Sequence, residues 1–71
     1  MSNANAINSL LRQLAVADRH HRDRGWEGMV KRKREAVRIL EELASLNPRF
    51  HYRLISARFQ LAGAISCARN Q

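Results

Sequence analysis

The apolar positions of this chain recur at three- and four-residue steps, the spacing of one face of an α-helix. In the N-terminal part they predict a helix over about residues 4–22, and a longer pattern predicts a second helix over about 29–46. A third pattern follows over about 48–69. Threonine is absent, while Ala, Leu, Arg and Glu are frequent, so intrinsic propensity favours the same assignment. We therefore expect an all-α fold of three helices in one helical domain, residues 1–71.

Asn47 and Pro48 separate the second and third predicted helices. An asparagine side chain caps a helix N-terminus, and proline suits the first helical turn because no N–H is needed there. So short a connection usually leaves its two helices antiparallel, which predicts an αα-hairpin. The first connection stays open, because Gly25 and Gly28 either separate two helices or lie inside one that continues.

Residues on both sides of the second connection share a spacing of apolar and small side chains: Glu35-Ala36-Val37, Leu43, Leu46-Asn47-Pro48, Tyr52, Ile55-Ser56, Phe59, Gly63 and Ala68. This spacing resembles the junction of helix B and helix A in a tetratricopeptide repeat, over about 34 residues. The resemblance implies a tight pair of helices with small side chains at their contact. Upstream, His20, Arg24 and Glu27 stand where the repeat has apolar or small residues.

The apolar faces also predict which side chains are withdrawn from water, either in the core or in a dimer interface. They are Leu11, Leu14, Val37, Leu40, Leu43, Leu54, Phe59 and Leu61. A domain of 71 residues buries only about 60% of its unfolded surface. The single cysteine, Cys67, cannot form a disulfide within the chain. Because a fold held by so little packing is marginal alone, we expect a homodimer.

The charge is strongly basic and concentrated: 13 Lys and Arg oppose 6 Asp and Glu, for a net charge of +7. Residues 19–34 alone carry seven cations and two anions. An acidic protein surface is the natural complement of such a segment. Trp26, between two glycines, either anchors a partner or packs over the end of the hairpin. The predicted partner-binding residues are Arg19, Arg22, Arg24, Trp26, Lys31, Arg32, Lys33 and Arg34.

The charges of the second predicted helix oppose its dipole at both ends. The run Lys31–Arg34 lies in its first turns, and Glu41 and Glu42 lie near its carboxyl end. One hypothesis is an antiparallel pairing of this helix with its copy in a second chain, with the basic run of each beside the two glutamates of the other. Alternatively, the run is a solvated face, or the helix continues through Gly25–Gly28 and the cations lie in its middle.

Little in the sequence indicates catalysis. The only dense group of titratable ligands is Asp18, His20, His21 and Asp23, whose spacing matches no zinc site. There is no glycine-rich phosphate loop or nucleophile elbow, so we predict a protein that is not an enzyme and has no metal or cofactor. No apolar run approaches the ~18 residues of a membrane span, and no secretory signal is recognised. We therefore expect a cytoplasmic protein without a membrane partner.

Three functions remain open. The first is a small basic helical regulator that, as a homodimer, binds a protein partner with an acidic surface and covers or inhibits it. The second is a regulatory protein that binds DNA or RNA, since a charge of +7 is a real electrostatic footprint, although no known nucleic-acid-binding signature is present. The third is a structural subunit of an assembly.

Overall fold

The structure, a computed structural model, describes residues 3–19 and 25–70, with residues 18 and 19 described in their backbone only. These residues form three α-helices and one 3-10 turn, and they contain no strand. The helices are α1 (Ala4–Arg19), α2 (Gly25–Leu46) and α3 (His51–Arg69). The expected all-α fold of three helices is therefore confirmed.

The start of α2 differs from the sequence prediction. The helix begins at Gly25, before the expected start at Met29, and Gly28 lies inside it. Gly25 has a φ of 80°, in the left-handed region that glycine enters without steric cost, so the chain turns there into the helix. Glu27 in the first turn favours this start, because a negative charge is stabilising at a helix N-terminus. The predicted extension of the first helix to Arg22 falls on residues outside the described part.

The connection between α2 and α3 is organised by Asn47, as predicted. Its side-chain Oδ1 accepts a hydrogen bond from the backbone N–H of Arg49 at 3.0 Å, so Asn47 caps the turn before α3 and not α3 itself, whose N-cap residue Phe50 makes no side-chain cap. Pro48 then opens a 3-10 turn, Pro48–Phe50, in which the Phe50 N–H donates to the Asn47 carbonyl at 3.2 Å. This turn moves the start of α3 from the expected Pro48 to His51.

The core is built around α2. Leu43 has no exposed surface and Ile39 is 1% exposed. The cluster joins residues of all three helices and the 3-10 turn: Leu10, Leu14, Val37, Ile39, Leu40, Leu43, Ala44, Phe50 and Leu54. Of the predicted core or dimer residues, Leu11 and Leu61 pack half-buried against this cluster. Phe59 is 81% exposed and lies outside it, because the apolar residues of α3 occupy two opposite faces and Leu54 faces inward.

The three helices form a slab one helix thick. α1 and α3 each pack on α2, and among the described residues no Cα atoms of α1 and α3 lie within 8 Å of each other. The Cα extents are 48 × 23 × 11 Å, and the radius of gyration is 13.1 Å, against about 11 Å for a compact domain of this length. Much apolar surface therefore stays in contact with water.

Candidate partner-binding surface

The basic run Lys31–Arg34 does not form a single stripe. Lys31 and Arg34 are exposed, whereas Arg32 and Lys33 are half-buried. Successive residues of a helix point about 100° apart, so four in a row cover most of its circumference. Lys33 Nζ donates a hydrogen bond to Gln60 Oε1 of α3 at 3.3 Å, so its charge lies between two helices.

The outer surface of α2 carries both signs of charge. Arg38 pairs with Glu35 one turn before it and with Glu42 one turn after it, the latter at 3.0 Å between Nη1 and Oε1. The hydrogen bond from Arg38 lowers the pKa of the Glu35 carboxyl, and the positive charge adds to this effect, while partial desolvation opposes it. The same bond raises the pKa of Arg38. The acidic and basic side chains of this face therefore neutralise one another, and the face has no continuous row of cations.

The glutamates near the carboxyl end of α2 have partners within the chain. Glu41 Oε2 lies 3.4 Å from Arg58 Nη2 of α3, and Glu42 is paired with Arg38. The basic run lies in the second and third turns of α2 because the helix begins at Gly25. The dipole conflict expected at the N-terminal end is therefore absent, and the glutamates need no second chain to neutralise them. The hypothesis that two copies of α2 pair through these charges loses its basis.

An open groove of about 470 Å³ lies between the first half of α2 and the last turns of α3. We call it the cationic groove; its lining residues are Glu27, Val30, Lys31, Arg34, Ile65, Ala68 and Arg69. The apolar lining residues are half-buried, whereas the charged ones are exposed. Cations outnumber the single anion, so the groove combines an apolar floor with a positive rim.

The structure brings together only part of the predicted site. Lys31 and Arg34 line the cationic groove, but Arg22 and Arg24 lie outside the described residues, as does the side chain of Arg19. Trp26, in the first turn of α2, is half-buried. This exposure does not decide whether it anchors a partner or packs over the end of the hairpin.

Sequence reasoning missed Arg69, Ile65 and Ala68, which belong to α3 but complete the groove. The available signal was the charge of the last segment: from Asn47 onward the sequence has four arginines and no acidic residue. A segment with arginines and no acidic residue adds to the positive potential of the cations that it lies beside.

A second exposed feature lies on α3, on the side opposite its buried residues. We call it the outer face of α3; it consists of Tyr52, Ile55, Phe59, Ala62, Gly63 and Ser66. The exposed fractions are 85% for Tyr52, 55% for Ile55 and 81% for Phe59. The described residues place nothing over this face.

Neither a metal site nor a membrane span is found in the part of the chain that the structure describes. No group of three His, Cys, Asp or Glu residues converges there, and none of its helices is long and apolar enough to cross a bilayer. The titratable group at Asp18, His20, His21 and Asp23 lies outside the described side chains.

Comparison with known proteins gives no match: no protein-family model, no curated protein and no solved structure matches the chain. The tetratricopeptide-like spacing at the second connection is thus not accompanied by a family match.

Proposed function

We propose that this protein is a small basic regulator without catalytic activity, which binds an acidic surface of a protein partner and covers or inhibits it, acting as a homodimer. The observation that carries the proposal is the cationic groove, where Lys31, Arg34 and Arg69 surround an apolar floor. Guanidinium groups bind carboxylates with two parallel hydrogen bonds, so the two arginines suit glutamate or aspartate side chains.

The apolar floor distinguishes a protein partner from a phosphate backbone. Val30, Ile65 and Ala68 offer half-buried apolar surface that a leucine or phenylalanine of a partner would cover. A phosphodiester chain makes no use of such a floor. A partner segment with acidic and apolar side chains in alternation fits both components.

The proposal includes the antiparallel arrangement of α2 and α3, on which the groove depends. Contacts between the two helices support it: Glu41 meets Arg58, whereas Lys33, further from the connection, meets Gln60. Near the far end, Lys31 and Arg69 line the same groove. Contacts further from the connection therefore join lower residue numbers of α2 to higher residue numbers of α3, which is the order expected of an antiparallel pair.

The test compares two triple variants with equal loss of charge. Proteins captured from a lysate by the tagged chain are identified by mass spectrometry, and the dissociation constant of the purified partner is measured by calorimetry. In the groove variant, Lys31, Arg34 and Arg69 are changed to Ala. The control variant changes three exposed arginines elsewhere, Arg12, Arg49 and Arg53, to Ala.

We expect the groove variant to bind the partner roughly tenfold or more weakly, which is about 1.4 kcal/mol, and the control variant to bind nearly as well as the wild type. Equal losses in the two variants would mean that only net charge matters. Unchanged binding in both would remove the groove from the interaction.

Nucleic-acid binding is the second candidate function. It is favoured by the exposed aromatic rings of Tyr52 and Phe59 on a helix with arginines and no acidic residue, because bases stack on such rings. A mobility-shift titration at two salt concentrations tests it, since phosphate contacts give a steep loss of affinity with salt. The third candidate, a structural subunit, is favoured if the chain forms assemblies but captures no partner.

A further inference from the structure

The apolar residues of α3 lie on two opposite faces, and the described residues of this chain cover one of them. Leu54 and Ala64 are buried on the inner side, whereas Tyr52 and Phe59 on the outer face are more than 80% exposed. The apolar stripe of a helix normally packs against another element, and α3 has two such stripes separated by polar residues. Singly scattered exposed apolar residues need no explanation, but these follow one another at helical spacing.

We propose that the outer face of α3 binds the same face of a second copy of this chain, with the two helices antiparallel and a two-fold axis passing beside Phe59. The inference deepens the homodimer part of the proposed function and rests on it, by assigning the dimer to a surface. It takes the place of the α2 pairing considered from the sequence.

The shape of the outer face is complementary to itself. Its large residues, Tyr52 and Ile55, precede Phe59, and its small residues, Gly63 and Ser66, follow it. In an antiparallel pair centred on Phe59, Tyr52 of one copy lies opposite Ser66 of the other. Ile55 likewise lies opposite Gly63, so large side chains fill the space left by small ones, as an isologous interface requires.

Nothing among the described residues requires a glycine at position 63. A Cβ atom placed there would meet nothing within 4 Å, and the residue does not have a positive φ. Glycine in the interior of an exposed helix weakens it relative to alanine. A second helix approaching closely at this point, with Ile55 of the other copy above Gly63, supplies the reason for its presence.

The chain exposes more surface than a compact monomer of its mass. The chain has 5592 Å² of accessible surface, whereas a compact monomer of its 8.2 kDa mass has roughly 4,500 Å². The flat arrangement of the three helices accounts for this excess of roughly 1,000 Å², and the outer face of α3 is one part of it. A second copy on the outer face of α3 would cover part of this surface.

The charges next to Phe59 are compatible with a second copy. Arg58 carries its own carboxylate partner, Glu41, at 3.4 Å, so two ion pairs rather than two bare guanidinium groups meet beside the axis. The two copies still repel each other, because each has a net charge of +7. Salt screens this repulsion, so dimerisation should strengthen with ionic strength. An acidic protein or a nucleic acid on this face would instead be released by salt.

The test measures molar mass by sedimentation equilibrium, from micromolar to millimolar chain, at low and at high salt. Phe59→Ser removes the central contact, and Gly63→Leu blocks the close approach. Val16→Ser is the matched control, because Val16 of α1 is also exposed, at 54%. Circular dichroism melts are recorded for each variant, so that a failure to fold is not taken for a failure to dimerise.

We expect a wild-type dimer that tightens with salt, a loss of at least tenfold in its association constant for Phe59→Ser and Gly63→Leu, and no change for Val16→Ser. Gly63→Leu should melt at least as high as the wild type at a concentration where both are monomeric, because leucine is the better helix former.

Other results would overturn the inference in different ways. If the wild type dimerises but both α3 variants dimerise equally well, the homodimer stands and its assignment to α3 is wrong. If the wild type is monomeric throughout, the homodimer fails, while partner binding is still decided by the groove variant. A monomer whose Phe59→Ser variant loses a captured protein or single-stranded nucleic acid would assign the face to that ligand instead.

Discussion

Two single residues shape the start of α2 and the connection between α2 and α3. Asn47 stops α2 and caps the following turn with its own side chain, a role that asparagine performs through a short polar group. Gly25 acts through its backbone, since its φ of 80° is accessible to glycine and costly for most other residues. Both effects are local, which explains why Asn47 was recognised, but the sequence did not indicate which of two nearby glycines would adopt the unusual conformation.

The backbone of Gly25 gives a prediction at this scale. We expect Gly25→Val to lower the free energy of unfolding by about 1–2 kcal/mol, because a β-branched residue is strained at positive φ. A Cβ atom there would meet nothing within 4 Å, so the cost comes from the backbone and not from a clash. Gly25→Asn is the control and should cost less, since asparagine enters this region more readily. Urea denaturation with equal losses for the two variants would contradict this explanation.

Among the elements, α2 holds the fold together and takes part in the three ion pairs found between described side chains. Its inner side supplies Leu43 and Ile39 to the core, and its outer side arranges Glu35, Arg38 and Glu42 in succession. Residues three or four apart on a helix are neighbours, so these pairs form without help from the rest of the fold. Consecutive residues of a helix point in different directions, about 100° apart. The run Lys31–Arg34 is therefore divided between an exposed and a half-buried side of α2.

The ion pair of Glu35 and Arg38 gives a prediction for the stability of α2 against pH. The pKa of Glu35 is lowered in the folded protein, so its stabilising contribution is present above its unfolded value and is lost as the pH falls through the folded value. We therefore expect Glu35→Gln to be less stable than the wild type near pH 7, with the difference disappearing in acid below the usual glutamate range.

The measurement is the difference in melting temperature between wild type and Glu35→Gln across that pH range. Glu27→Gln serves as the control, because within the described residues Glu27 makes no ion pair with a side chain. A difference for Glu35→Gln that is constant with pH would mean that its carboxylate charge contributes nothing. The effect is small in any case, since both side chains are solvent-exposed.

The molecule as a whole is limited by the size of its core. A slab 11 Å thick encloses few side chains completely, and the cluster around Leu43 joins all three helices. Domains of this size rarely have more than about 3–5 kcal/mol of stability from one core. The same geometry leaves the cationic groove and the outer face of α3 open, so the small core and the large exposed surface have one cause.

The core gives a prediction for the whole fold. Leu43→Ala removes a side chain with no exposed surface and should cost about 2–5 kcal/mol, enough to leave the chain largely unfolded at 25 °C. Val16→Ala, at a position 54% exposed, should change stability by less than about 0.5 kcal/mol. Far-UV circular dichroism at one fixed chain concentration compares them, because dimerisation adds to apparent stability. A well-folded Leu43→Ala variant would mean that the core is not the main source of stability.

The sequence by itself determined the features that depend on near neighbours. The period of the apolar residues predicted three helices, and Asn47 and Pro48 predicted where the second connection lies, because both signals act within a few residues. Leu40 and Leu43 were placed correctly as buried for the same reason: they belong to a single apolar face of α2.

Only the tertiary structure decided which of two equivalent faces is covered and which distant residues meet. On α3, Leu54 and Phe59 are both large and apolar, but a single helix, α2, packs on one side, so the first is buried and the second is exposed. Arg69 joins Lys31 in the cationic groove because two helices pack there, and helix packing depends on contacts far apart in the sequence that no local pattern encodes.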